Sequence, residues 1–266
     1  MKRLLSVLLA LLSVGKLFAQ VDSIRLARLD SYVEQYVAAL TLESISVKEA
    51  ECDFMINSAK DSLMRNHIGD KLYRYYRDSA VMGEEEVAIY LWDKWFEPKL
   101  LSFEPEDDKT PQDCYYNARL FADFNRSTLI GETAPELVAR MPCGVRRKLP
   151  RKGTPAILYF YDTACGKCVL ESKLMPSVLS KSDRKLNFYA FYCGTDKKAW
   201  RKFRKDFKLQ NPSIRLVHLW DPEVDSDYLR LYGVITTPKL YVTTAGNQIL
   251  GRRLELENLI AVLELL

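Results

Sequence analysis

Apolar positions in the first half of the chain recur at helical spacing. Val33, Tyr36, Val37 and Leu40 follow an i, i+3, i+4, i+7 pattern, with Asp22 or Ser23 ahead of them as a cap. The same pattern predicts further helices near 46–66, 70–79, 84–96 and 112–124. Breaks are expected at Gly69, at Gly83 and through Glu97–Pro111, which carries Pro98, Pro105 and Pro111. Aromatic residues at this spacing, such as Tyr73, Tyr76, Trp92, Trp95 and Phe96, are expected in a core rather than around a ligand.

The second half is patterned differently. Ala156–Tyr161 and Asn187–Tyr192 are short apolar and aromatic runs of the kind a buried strand requires. Leu216–Trp220, Lys239–Thr243 and Gln248–Arg252 are three more candidate strands. Helical stretches are expected between and after them, at 167–181, 196–208, 225–232 and 256–266. Strand, helix and strand at this spacing imply parallel pairing through crossover helices. The short link Thr244–Asn247 implies an antiparallel hairpin at the end. Glycine usage agrees: residues 20–127 contain only Gly69 and Gly83, whereas 128–266 contain eight glycines. An all-α domain at 20–127 followed by an α/β domain at 128–266 is the expected organisation. There is no internal repeat and no low-complexity tract.

Residues 1–19 fit neither half. Lys2 and Arg3 precede an apolar run from Leu4 to Val14, and Ala19 supplies a small residue at a cleavage point. The run is the length of a secretory signal and too short to span a bilayer. We read 1–19 as a cleaved signal peptide, with an uncleaved N-terminal anchor as the other reading. Export would place the protein in the periplasm, where disulfides persist. No later stretch reads as a membrane span. The chain's formal charge is +4. Three cations and no acid fall within 1–19, so the remainder carries +1. Nothing in that balance argues for nucleic acid. Hydrophobic residues at 48% and charged residues at 28% exclude wholesale disorder, and six cysteines in 266 residues are too sparse for a disulfide scaffold.

Chemistry enters with Cys165-Gly166-Lys167-Cys168, which directly follows the strand Ala156–Tyr161 and opens a predicted helix. Two thiols at this spacing can close a small disulfide ring. A helix N-terminus stabilises a thiolate at Cys165, and Lys167 would add positive charge. A thiolate with a pKa near ambient pH attacks disulfides best, which makes Cys165 the attacker and Cys168 the resolving thiol. Zinc would need two more ligands, and there is no second CxxC; Cys193, His218 and His67 stay open as ligands. Covalent haem attachment would need His where Val169 stands. The sequence therefore calls for no cofactor.

Residues 128–266 resemble the TlpA/ResA-like thioredoxin-fold oxidoreductases of the bacterial cell envelope. Ile130–Leu137 is similar to that family's opening motif, Tyr159–Cys168 to its active-site strand and turn, and Tyr232–Pro238 to the loop bearing its cis-proline. Gly246–Ile249 is similar to its last hairpin. The resemblance implies a mixed central sheet flanked by helices. It also implies a cis Thr237–Pro238 bond facing Cys165, with Thr237 and Pro238 holding the substrate chain. Glu171 matches an acidic residue that some members keep near the thiols. It either tunes Cys168 or relays a proton, or it is an exposed helix glutamate. Ala164 stands where the family commonly has Trp, Gly166-Lys167 where Gly-Pro is common, and Lys173 where a helix proline is expected. The buried acid of many thioredoxins aligns with Tyr159. A branch of secreted Bacteroidota-type proteins also carries a helical domain ahead of the thioredoxin-like one.

Four cysteines remain. Cys52 and Cys114 could bridge or stay as free thiols, Cys143 sits in the connector before the active-site strand, and Cys193 is either a third redox thiol or a small buried residue at a strand end. Between Lys197 and Lys208, Trp200, Phe203 and Phe207 interleave with basic residues, which predicts a helix with one core face and one solvated basic face. The expected function is thiol–disulfide exchange with protein substrates, in the reducing or isomerising direction, together with an unidentified envelope redox partner. The alternative is an envelope binding or scaffold protein whose thioredoxin-like domain is redox-silent.

Overall fold

A computed structural model of the chain describes residues 24–266; the signal-peptide reading of 1–19 and the caps at Asp22 and Ser23 lie outside the described residues. Contacts divide the chain into two units. One runs up to Ser79 and takes in Glu84–Arg119; the other comprises Ala80–Gly83 and Leu120–Leu266.

The first unit is helical. It contains α1 (24–39), α2 (Ile45–Ser58), α3 (Ser62–Asp78), α4 (Glu85–Leu91) running into a π-helical turn at Trp92–Phe96, and the beginning of α5 (Pro111–Asn125). Two side chains set its helix starts. Ser44 Oγ accepts the backbone N–H of Val47 at 3.4 Å, and Asp61 Oδ1 accepts that of Met64 at 2.8 Å. The expected break at Gly69 is absent, and the break falls at 59–61 instead. Gly69 lies inside α3 because space, rather than a turn, requires glycine: a Cβ there would sit 2.3 Å from Leu101 Cδ1. The aromatic residues form a core, with Phe96 stacked on Phe103 at 4.0 Å and Tyr73 edge-on to both. A buried ion pair, Lys48 Nζ to Glu84 Oε1 at 2.6 Å, ties α2 to the start of α4.

The second unit holds a seven-stranded sheet among the described residues. Its strands are β1 (Leu137–Arg140), β2 (Arg146–Leu149), β3 (Ala156–Tyr161), β4 (Leu186–Tyr192), β5 (Ile214–Trp220), β6 (Lys239–Thr243) and β7 (Ile249–Gly251), in the order β2-β1-β5-β4-β3-β6-β7. β3, β4 and β5 pair in parallel; the remaining neighbours are antiparallel. The crossovers are α6 (Gly166–Leu179) and α7 (Lys197–Asp206), and the unit ends in α9 (Leu259–Glu264); the short α8 (Tyr228–Leu231) covers less than the expected 225–232. β1 and β2 have no counterpart among the strands expected from the pattern. Each spans only four residues, and β2 is Arg-Arg-Lys-Leu, so its alternation is hidden by charge.

Two apolar layers cover the sheet. One joins Ile157, Tyr159 and Tyr161 to Met175 and Leu179 of α6 and to Leu259 and Leu263 of α9. The other joins Leu158 and Phe160 to Phe191, Tyr228, Tyr232 and Tyr241. β3 is central, so all six of its side chains are buried and its sequence shows no polar alternation. Trp200 and Phe207 pack inward and Phe203 stacks on Tyr161 at 4.1 Å, giving α7 its one core face.

Candidate functional site: two thiols at the start of α6

The buried strand β3 delivers the chain to the site, and a tight turn redirects it. The backbone N–H of Ala164 bonds Asp162 Oδ1 at 2.9 Å, and that of Cys165 bonds the Asp162 carbonyl at 3.3 Å. Cys165 then takes the N-cap position of α6. Its sulfur accepts the backbone N–H of Cys168 at 3.2 Å, the contact a Ser or Asp cap would make. From the other side, the Cys165 thiol donates to the Thr237 carbonyl at 3.2 Å. The Thr237–Pro238 bond is cis. Gly233 lets this loop close up: its φ is +56°, and a Cβ there would fall 2.5 Å from the Phe124 carbonyl oxygen. The structure thus brings Cys165 and Cys168 together with Thr237-Pro238 from two separate parts of the sequence.

The two thiols have unequal environments. Cys165 is partly exposed, and Cys168 is buried at 2% exposure. Burial alone would raise the Cys165 pKa. The hydrogen bonds from Cys168, side chain and backbone N–H, together with those from the Thr237 side chain and the Lys167 backbone, outweigh it and hold the thiol below its ordinary value. Burial pushes Cys168 up to about 12, and its neighbour Cys165 adds to the effect.

Glu171 is buried at 7% exposure, which removes the exposed-glutamate reading. Burial raises its carboxyl pKa, and the charge of Lys167 and the Tyr159 hydroxyl pull it partly back. Tyr159 is the neighbour that the sequence did not single out as functional. Its hydroxyl donates to the Cys168 carbonyl at 3.2 Å from a fully buried ring. The only signal for it was an aromatic residue at the place of a buried acid. Lys167 does not serve the Cys165 sulfur as expected. Its ammonium pairs with Glu255 Oε1 at 2.8 Å and lies 4.0 Å from Glu171. Glu255 is 88 residues away in sequence, so that partner was not legible.

All six cysteines are thiols. Cys52 and Cys114 are buried beside different partners, Tyr76 and the Glu104 carbonyl. Burial raises the Cys193 thiol well above its ordinary value, as befits a packed strand-end residue. Cys143 is exposed in the turn between β1 and β2. His67 is held between Asp30 at 2.8 Å and Glu104 at 2.9 Å, and His218 lies edge-on to Phe203. Among the described residues, neither histidine, nor Cys193, brings a ligand atom into a metal-sized cluster with Cys165 and Cys168. No helix of the described residues is long and apolar enough to cross a membrane.

No protein-family model matches the sequence, and no curated protein matches it. Solved structures do match. A thioredoxin-like protein from Bacteroides caccae aligns over 84% of this chain and 78% of its own, at 15% identity and a TM-score of 0.61. The thioredoxin domain of a thiol-disulfide oxidoreductase from Bacteroides vulgatus aligns over 51% of this chain and 95% of its own, at 17% identity and a TM-score of 0.44. A thiol:disulfide interchange protein from a Bacteroides species aligns over 52% of this chain and 90% of its own, at 20% identity and a TM-score of 0.44. With its mixed sheet, flanking helices and helical N-terminal region, the chain has a thioredoxin-like fold.

Proposed function

We propose that the protein is an extracytoplasmic thiol–disulfide oxidoreductase that acts on protein substrates through Cys165 and Cys168. The single observation that carries this reading is the asymmetry of the pair. One sulfur is partly exposed, hydrogen-bonded and lowered in pKa; the other is buried and raised to about 12. The Cys165 thiolate attacks one sulfur of a substrate disulfide, forming a mixed disulfide and releasing the other substrate sulfur as a thiolate. Cys168 then loses its proton and attacks the Cys165 sulfur. The Cys165–Cys168 disulfide forms, and the second substrate sulfur leaves. Two electrons pass to the substrate, so another turnover needs a dithiol reductant, the role of the envelope partner. Glu171, one turn along α6 from Cys168 and raised above the ordinary carboxylate range by burial, accepts the Cys168 proton in this reading, acting as its carboxylate.

Thr237 and Pro238 hold the incoming chain beside Cys165 in this reading. The surroundings suit a protein surface. Val169, Leu170 and Leu174 on α6, and Ile235 just before Thr237, are large apolar side chains left 41%, 58%, 49% and 67% exposed. The signal-like sequence at 1–19 supports a periplasmic location and a reducing or isomerising direction follows from the family resemblance. Reduction of a model protein disulfide by the purified, pre-reduced chain tests the reading. Cys165→Ser should abolish it. Full activity in that variant would show that Cys165 is not the attacking thiol, and none in the wild type would favour the redox-silent scaffold instead.

A further inference from the structure

At the opposite end of the parallel strands from Cys165, the starts of β4 and β5, strand β2 and the β2–β3 loop enclose a 210 Å³ cavity. Its floor is apolar and buried, formed by Leu149, Tyr189, Val217 and Leu219. Its walls carry five basic side chains, Arg147, Lys148, Arg151, Lys152 and Arg215, and no acidic one. Among the described residues only Lys148 of these five has a carboxylate partner, the exposed Glu136 at 2.7 Å.

The basic loop is built into place. The Pro150 carbonyl accepts from the buried Asn247 Nδ2 at 3.2 Å, and the Gly153 N–H donates to the Ala245 carbonyl at 2.8 Å. The Arg151 backbone lies near the Tyr189 hydroxyl. Arg215 stands beside Asn187 in the β4–β5 register, on the same face as the Tyr189–Val217 pair. Like charges converging on a concave, low-dielectric floor repel one another and focus a positive field into it. Guanidinium groups match phosphate oxygens in two-pronged fashion, and three of the five cations are arginines.

We infer that this cavity binds a phosphomonoester or pyrophosphate group, on a soluble molecule or a lipid headgroup. The inference does not depend on the redox reading, since the site lies apart from the thiols and uses none of their residues.

Calorimetric titration of the purified protein with inorganic pyrophosphate tests it, run beside co-sedimentation with phosphatidylcholine vesicles with and without phosphatidic acid. Saturable one-site binding is expected. Arg151→Gln and Arg215→Gln should each weaken it about tenfold, the loss of one charge-assisted hydrogen-bonding group. Arg201→Gln, an exposed cation on α7 outside the cavity, should leave it unchanged. Both cavity arginines are exposed, so the variants should keep the wild-type melting midpoint, which is checked in parallel. Variant-sensitive binding of pyrophosphate alone identifies a soluble ligand, and binding to phosphatidic acid vesicles alone or more tightly identifies a lipid headgroup. No saturable binding in either arm, or equal weakening by Arg201→Gln, would overturn the inference.

Discussion

The sulfur of Cys165 stands between two backbone groups, accepting the N–H of Cys168 and facing the carbonyl of Thr237, each at 3.2 Å. The first contact favours the thiolate. The second comes from the loop ahead of β6, 72 residues further on, which brings Pro238 beside the sulfur. A helix start and a loop thus meet at one atom, and the expectations below follow from that atom and its surroundings.

Alkylation should be selective and should report the lowered pKa. With the reduced chain and limiting iodoacetamide, Cys165 should react at a rate that rises with pH to a midpoint below that of an ordinary thiol, about 8.5. Cys168, raised to about 12 by burial, should stay unmodified through neutral pH. Peptide mapping at several pH values checks both. A Cys165 midpoint at or above the ordinary value would contradict the hydrogen-bond argument.

Glu171→Gln should slow resolution and leave attack alone. Removing a positioned proton acceptor costs roughly a hundredfold in the step it serves. Single-turnover kinetics should therefore show a longer-lived mixed disulfide and the loss of one pH-dependent step, with Cys165 alkylation unchanged. A purely structural role would instead alter the melting midpoint and not the pH profile.

Gly69→Ala should destabilise the helical unit even though alanine is the better helix former by about 1 kcal/mol. The added Cβ would meet Leu101 at 2.3 Å inside a packed core, and overpacking of this kind costs about 1–3 kcal/mol. Urea unfolding of both chains gives the difference. A net gain in stability would mean that Leu101 moves aside freely.

Acid should weaken the same unit through Glu106. Its hydrogen bonds to Arg77 lower its carboxyl to about 2, and Arg74 helps from 2.9 Å. A depressed folded pKa stabilises the fold fully above the unfolded value of about 4.3, and that contribution is lost as pH falls through the folded value. The stability gap between wild type and Glu106→Gln should therefore be constant above pH ~5 and shrink toward zero near pH 2.

Much of this architecture was legible in the sequence for identifiable reasons. β3 matches its expected bounds because a fully buried strand leaves an unbroken apolar run, and β6 matches its own, with Leu240-Tyr241-Val242 as its apolar centre. Cys165 and Cys168 were visible as a pair because a CxxC spacing at a helix start is itself a chemical signal, and Thr237-Pro238 was visible through the family resemblance. What was missed depends on tertiary space or long-range pairing. Gly69 looks like a helix break in sequence and is a packing gap in three dimensions. Lys167 is a local charge beside a thiol in sequence but faces Glu255 in the fold. β2 was hidden because a polar strand of four residues carries no hydrophobic period. The basic cavity combines residues 147–152 with Arg215, which only the strand order unites.

The central claim is that Cys165 is the attacking thiol. Incubating Cys168→Ser with a disulfide-bonded model peptide and mapping the covalent adduct by mass spectrometry tests it most directly. The account requires one stable mixed disulfide per chain, at Cys165. No adduct, or an adduct at the exposed Cys143 with Cys165 left free, would contradict it.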